Sequence, residues 1–332
     1  MITMVAGLLL VLNAVPASAE SPIRVGFFAN MTHGQALIGK GRGEFEKKTG
    51  RKIDWKVFNA GPAAMEAMMA GALDIAYVGP NPAINAYFRS GGKSLRIVAG
   101  AASGGAGLVT LRESKIKTPK DFRNRKVASP EFGNTQDVAL RSWLKSQQLS
   151  PGRDVKVLPM KNPDILMMFQ QKKIDAAWVP EPWFTRLLQE GGGELFLDER
   201  TLWKNGRFTT AVVVVNADFL VKNRDLVKKF LAAHVEITEA ARREPAKARS
   251  DFNMEFAAIT RKPLPEKELV EIFNRLQLTY DPITSSLVES AGRAAGLGFL
   301  PPAARDGGSV AQACDLKLLN EVLKERGLPS VK

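Results

Sequence analysis

The chain has 332 residues, 45% of them hydrophobic and 24% charged, with a formal net charge of +13, two histidines and one cysteine. A single Cys314 excludes an internal disulfide, and its separation from His33 and His234 gives no zinc-ligand spacing. Basic residues are dispersed among acidic ones, as in Glu44-Phe-Glu-Lys-Lys48, without interleaved aromatics, so the charge reads as a solvated surface and not as a nucleic-acid interface.

The apolar run 6–12 is followed by Ala17-Ser18-Ala19, small residues at the positions a signal peptidase reads. Residues 1–19 are therefore expected to be a cleaved export signal, too short to span a bilayer, which takes about 20 apolar residues. The remaining chain is expected to be soluble and periplasmic. From residue 23, strand-like and helix-like stretches alternate. Strands are predicted over 23–28, 53–58, 73–78 and 95–99, with helices from a polar turn at 30–33 to about 48, over 63–70 and through 88. The Gly-rich segment 100–107 breaks the pattern and 108–111 restarts it. Thr118 and Pro119 supply the cap and first position of a short helix. Strands over 126–128, 155–159 and 176–179 then alternate with helices from Gly133 to about 148 and over 163–172. A strand over 209–215 precedes a mainly helical remainder.

This βαβ order predicts an α/β protein with mostly parallel sheets and helices on both faces. Two lobes are expected: residues 22–104 with 212–332, and an inserted lobe over 108–208. The crossings near 104–107 and near Thr209 read as a hinge, since glycine tolerates the dihedral changes a hinge requires.

Several stretches, taken together and in order, carry a family pattern. They are Val57-Phe-Asn-Ala-Gly-Pro62, Ala70-Gly-Ala-Leu-Asp-Ile-Ala-Tyr-Val-Gly-Pro80 and Leu95-Arg-Ile-Val-Ala-Gly100, then Ile116-Lys-Thr-Pro-Lys-Asp-Phe122, Gly133-Asn-Thr-Gln-Asp137 and Ile174-Asp-Ala-Ala-Trp-Val-Pro-Glu-Pro-Trp183. The chain resembles the solute-binding proteins of nitrate/sulfonate/taurine-type ABC importers, particularly the aliphatic-sulfonate-binding branch. The resemblance implies the type II-like periplasmic-binding fold, with a small anionic solute held in the cleft between the lobes. It also implies a membrane permease with its ATPase as partners, a monomeric receptor, no cofactor and no catalysis. The excess positive charge would help draw in an anion.

Candidate ligand residues lie at the ends of the predicted strands. Gly133, Asn134, Thr135 and Gln136 open a helix whose first amides lack intrahelical acceptors and whose dipole is positive there, a natural oxyanion site. The same residues can equally serve as caps. Asn81, between Pro80 and Pro82, sits on a strand-to-helix turn at a sheet edge, where open α/β sheets bind ligands. Asn30, Thr32 and His33 follow the first strand, and Gly61, Ser103 and Gly104 can bring bare backbone to the solute or form turns and hinge. Glu181 between two prolines would suit a solute with an amine or hydroxyl, as in taurine-like sulfonates; alternatively it pairs with a Lys or Arg across the cleft. Trp183 can pack on an organic part of the solute.

Three other readings stay open: a binding protein for a neutral heterocycle such as a pyrimidine precursor, a biosynthetic enzyme on the same scaffold, and a ligand sensor that docks on a membrane receptor kinase. The sequence shows no Ser-His-Asp or Cys-His arrangement and no metal spacing. His33 with Glu181 is the one titratable pair that catalysis here could use.

Overall fold

The run Val212-Val213-Val214-Val215 shows how the chain builds its sheets. It is continuously apolar, and its side chains alternate between two separate hydrophobic clusters, so the strand carrying it is covered on both faces. The computed structural model describes residues 21–332, and the expected export signal at 1–19 lies outside them. Among the described residues eleven strands form two sheets: β1 (Ile23–Phe28), β2 (Ile53–Phe58), β3 (Ile75–Val78), β4 (Leu95–Gly104), β5 (Ala106–Leu111), β6 (Lys126–Ser129), β7 (Lys156–Pro159), β8 (Ala176–Pro180), β9 (Gly193–Asp198), β10 (Thr209–Asn216) and β11 (Leu276–Leu278). One sheet has the order β11-β4-β10-β3-β1-β2 and the other β7-β6-β8-β5-β9. The second sheet is also double-faced, with Leu108 and Trp178 in one cluster and Val109 and Val179 in another.

The sheets are mixed, and the expectation of mostly parallel pairing holds only for the βαβ units. β1 pairs in parallel with β2 and β3, and β6 with β7 and β8. β10 is antiparallel to β3 and β4, β11 to β4, and β5 to β8 and β9. The reason is the crossing: β4 leaves the first sheet through Gly104-Gly105 into β5, and β10 returns beside β4, so the two must run in opposite directions.

The Gly-rich segment does not interrupt the pattern as expected. β4 continues through it to Gly104, because β10 and β11 pair with it along that length. Its small residues are required by close neighbours: a Cβ on Gly100 would stand 2.1 Å from the Asp281 carbonyl oxygen. Gly104 and Gly105 have φ of 77° and 71°, the left-handed region, which lets the chain turn between sheets. β9 and the three-residue β11 were not among the predicted strands. No helix among the described residues is long and apolar enough to cross a membrane.

Candidate functional site

The C-terminal ends of the six parallel strands converge on one seam between the sheets. Phe28 ends β1 and Asn30, Thr32 and His33 follow it, Asn59 follows β2 and Gly79 follows β3; from the facing sheet come Asn134, Thr135 and Gln136 after β6, Asn162 after β7 and Pro180 at the end of β8. These residues and Thr210 enclose a cavity of about 20 Å³. It is little more than a single water needs, roughly 10–15 Å³, so the two sheets' strand ends approach closely here. Two hydrogen bonds fasten them beside it: Trp183 Nε1 donates to Asn30 Oδ1 at 3.0 Å, and the Met31 amide to the Glu181 carbonyl at 3.0 Å.

Local sequence sets the helix Thr135–Ser146 against this cavity. Gly133 takes φ of 76°, and Asn134 is extended and accepts the Gln136 amide on Oδ1 at 2.7 Å. Asp137 turns back to accept Ser129 Oγ at 2.8 Å and the Gly133 amide at 3.0 Å, and Arg141 bonds both its carboxylate oxygens at 2.9 Å. The first turn is thus locked while its end faces the seam. Three other helices beginning here, Gly61–Met69, Pro80–Arg89 and Asn162–Gln170, carry proline in their first two positions and so offer fewer amide donors.

Thr135 marks this turn as more than a helix start. Its side chain is buried, yet Oγ1 has no hydrogen-bond partner, and the same holds for Asn162 Oδ1 on the same cavity. Unpaired buried polar atoms cost roughly 1–3 kcal/mol each, so two on one small cavity point to a polar ligand. The Thr135 hydroxyl can donate, and a half-turn of the Asn162 amide presents Nδ2 in place of Oδ1. Gly79 permits the approach: a Cβ there would stand 2.2 Å from Thr135 Oγ1.

His33 is fully enclosed. The Phe28 amide donates to its Nδ1 at 3.0 Å, its ring lies on the Phe28 ring at 4.3 Å, and burial pushes its pKa down to about 3. It is therefore a neutral imidazole with the proton on Nε2. Neutral donors, and no full cation, surround the cavity.

Other expected ligand residues stand elsewhere. Asn81 is buried but turned to the helix Thr284–Gly296, where Ser290 Oγ donates to its Oδ1 at 2.9 Å and its Nδ2 reaches the Ser290 carbonyl. Gly61 is a packing position, because a Cβ would lie 2.3 Å from the Pro82 ring. Ser103 and Gly104 belong to the crossing: Ser103 Oγ accepts the Phe208 amide at 3.3 Å, and Thr210 Oγ1 donates to the Gly104 carbonyl. Glu181 takes the second of its two expected roles, pairing with an arginine. Its carboxylate accepts the Thr185 amide at 3.0 Å, Thr185 Oγ1 at 2.9 Å and Arg275 at 3.2 Å, and it does not line the cavity. Burial, opposed by Thr185 and Arg275, raises its pKa to about 7. His33 and Glu181 therefore do not form a pair for acid–base work. Gly133 lies just outside the cavity, bordering a surface groove with Phe132 and Phe299.

Sequence reasoning missed Asn59, Asn162 and Thr210. The two asparagines follow β2 and β7 as Asn30 follows β1, and a consistent reading of every strand end would have found them. Thr210 lies inside a strand and carries no such signal.

The profile of the NMT1-like family matches residues 17–254. The chain belongs to the NMT1-like family. It is similar to the taurine-binding periplasmic protein of Escherichia coli (strain K12), 26% identical over 201 residues, 60% of this chain and 61% of that one. The match thus spans about six-tenths of that relative's length. Among solved structures, this family member is similar to the alkanesulfonate-binding protein SsuA from Xanthomonas axonopodis pv. citri bound to MOPS, with a TM-score of 0.72 and 19% identity over 90% of this chain and all of that one. It is also similar to the periplasmic nitrate-binding protein NrtA from Synechocystis PCC 6803, with a TM-score of 0.80 and 16% identity over 93% and 91% of the two chains. At these identities the likeness establishes the fold, the two-lobed architecture of periplasmic solute-binding proteins.

Proposed function

We propose that the protein is an exported solute-binding receptor of an ABC-type importer that captures a small sulfonate-like anion by closing its two lobes on it. The observation that carries this reading is the unpartnered Thr135 hydroxyl, buried at a helix start in a cavity to which both lobes contribute. An oxyanion there accepts from Thr135, from the helix amides and from His33 Nε2, and the helix dipole adds about 0.3–1 kcal/mol, up to about 2 where partly buried. The lobes must part to admit it. Because donors come from both lobes, the anion binds the closed form better than the open one, which is the condition for a population shift. The closed receptor then presents one continuous face to a membrane permease with its ATPase. The relatives named for taurine, alkanesulfonate and nitrate support the ligand class. Neutral donors suit a transport receptor, which must release its cargo. No cofactor is needed for this role, and no reaction is assigned to the cavity.

A thermal-shift screen of the purified protein against alkyl and aryl sulfonates, taurine, nitrate, sulfate and pyrimidines tests the reading. A ligand of the folded state stabilises by about 2.7 kcal/mol at a hundred times its Kd. At least one organosulfonate is expected to raise the melting temperature. Thr135→Val should weaken its binding roughly 10- to 150-fold, the loss of one hydrogen bond to a charged group. Stabilisation by pyrimidines alone would discard the anion reading.

A further inference from the structure

A second cavity of about 420 Å³ adjoins the first and shares Phe28, Asn30, Asn59 and Asn162 with it. That volume is in the range of small-molecule sites, about 300–1,000 Å³. Val57, Phe58, Leu166 and Ile259 give it apolar walls. Trp183 adds a flat indole fixed at both sides, by its bond to Asn30 Oδ1 and by the Arg186 guanidinium 5.0 Å from the ring centroid. Val57 is 51% exposed, so this wall is available to an occupant.

The charged groups in this cavity are cationic. Arg186 and Lys262 both line it, and both are tied to Glu190, Arg186 Nε at 2.8 Å and Lys262 Nζ at 2.8 Å, while Glu190 itself stays outside the lining. Among the described residues no carboxylate lines the space. Glu181, which would have served an ammonium group, is engaged by Arg275 and Thr185. A ligand ammonium extending from the small cavity would meet two cations that share one carboxylate, a net positive wall, and no carboxylate among the lining residues.

We infer that the site selects an oxyanion carrying a bulky apolar substituent, aryl or extended alkyl, whose tail lies against Trp183 and Leu166, and that it discriminates against taurine and nitrate. This rests on the proposed anion site at Thr135 and specifies its substrate class. A tail ending in a hydrogen-bond acceptor gains a further contact with Arg186 or Lys262, whereas one ending in an ammonium is repelled.

Calorimetric titration with methanesulfonate, taurine, nitrate, hexanesulfonate and benzenesulfonate tests this. Benzenesulfonate and hexanesulfonate are expected to bind at least about 10-fold tighter than methanesulfonate, from the apolar area they bury, and taurine no tighter than methanesulfonate. Val57→Asp, at an exposed position of the cavity wall, should lower the ratio of hexanesulfonate to methanesulfonate affinity by about 3-fold or more. Equal affinity across the sulfonates, or preference for taurine, overturns the substituent inference and leaves the anion site standing. Binding by no sulfonate overturns both.

Discussion

At the scale of single residues the site's character follows from what surrounds each polar group. Thr135 is left with a free hydroxyl because Asn134, one position earlier, already satisfies the Gln136 amide, and because Gly79 lets the lobes approach without covering Oγ1 with a methyl group. His33 is the titratable side chain on the small cavity, and enclosure holds its pKa down to about 3. A sulfonate is also ionised throughout the neutral range. The affinity for a sulfonate is accordingly expected to stay constant between pH 5 and pH 8 in calorimetric titrations, whereas a rise on acidification through about 6.5 would mean that His33 binds as a cation. Little of this was legible in the sequence. Asn134 and Thr135 could be read as caps or as ligands, and the structure gives one role to each: the Asn134 side chain caps, and the Thr135 hydroxyl has no internal partner. Asn81 looked equally suited to a ligand and is spent on Ser290, 209 residues away in sequence, a contact no local pattern could reveal.

At the scale of elements the strand ends line the cavity and the crossing joins the two sheets. The strands and helices of the βαβ units were legible because apolar runs of strand length alternate with helical stretches opened by glycine, proline and asparagine. The crossing near 104–107 was legible from its glycines, but the run of β4 on through 99–104 was not, since that second half is Ala, Gly and Ser where a β-branched run would announce a strand; pairing with β10 and β11 imposes the extended form. Glu181 belongs to this element. Its backbone donates to the Gly105 carbonyl at 2.8 Å and its side chain grips Arg275, so it ties β8 to the helix Glu266–Arg275 across the crossing. Burial raises its pKa from the usual 4.5 to about 7 in the folded protein. The native state therefore holds a proton between these values that the unfolded chain has released. The resulting stability is fully present below 4.5 and is lost as pH rises through 7. Melting temperatures of the protein and of Glu181→Gln, measured from pH 4.5 to 8, should diverge, with the parent falling relative to the variant as pH rises. Buried Glu199, shifted the same way to about 7 and bonded to Trp178, titrates in both proteins and cancels in the difference. A constant difference across the range would show that Glu181 is ionised throughout.

At the scale of the whole molecule, two double-faced sheets are joined by crossing strands. The α/β class and the presence of two sheets could be anticipated from the order of elements. The mixed strand directions could not, because they follow from the return of β10 beside β4, a pairing between segments about a hundred residues apart. Convergence of six strand ends on one seam likewise appears only when both lobes are assembled, although Asn59 and Asn162 could each have been picked out at the end of its own strand. The account's central claim is that an oxyanion docks on the first turn of the helix Thr135–Ser146 inside this closed seam. The measurement that tests it most directly is a backbone amide NMR titration of the isotope-labelled protein with benzenesulfonate. The account predicts saturable shifts that are largest at the Thr135, Gln136 and Asp137 amides and at the facing residues Asn30 to His33. Saturable binding whose shifts leave that turn unmoved would contradict it.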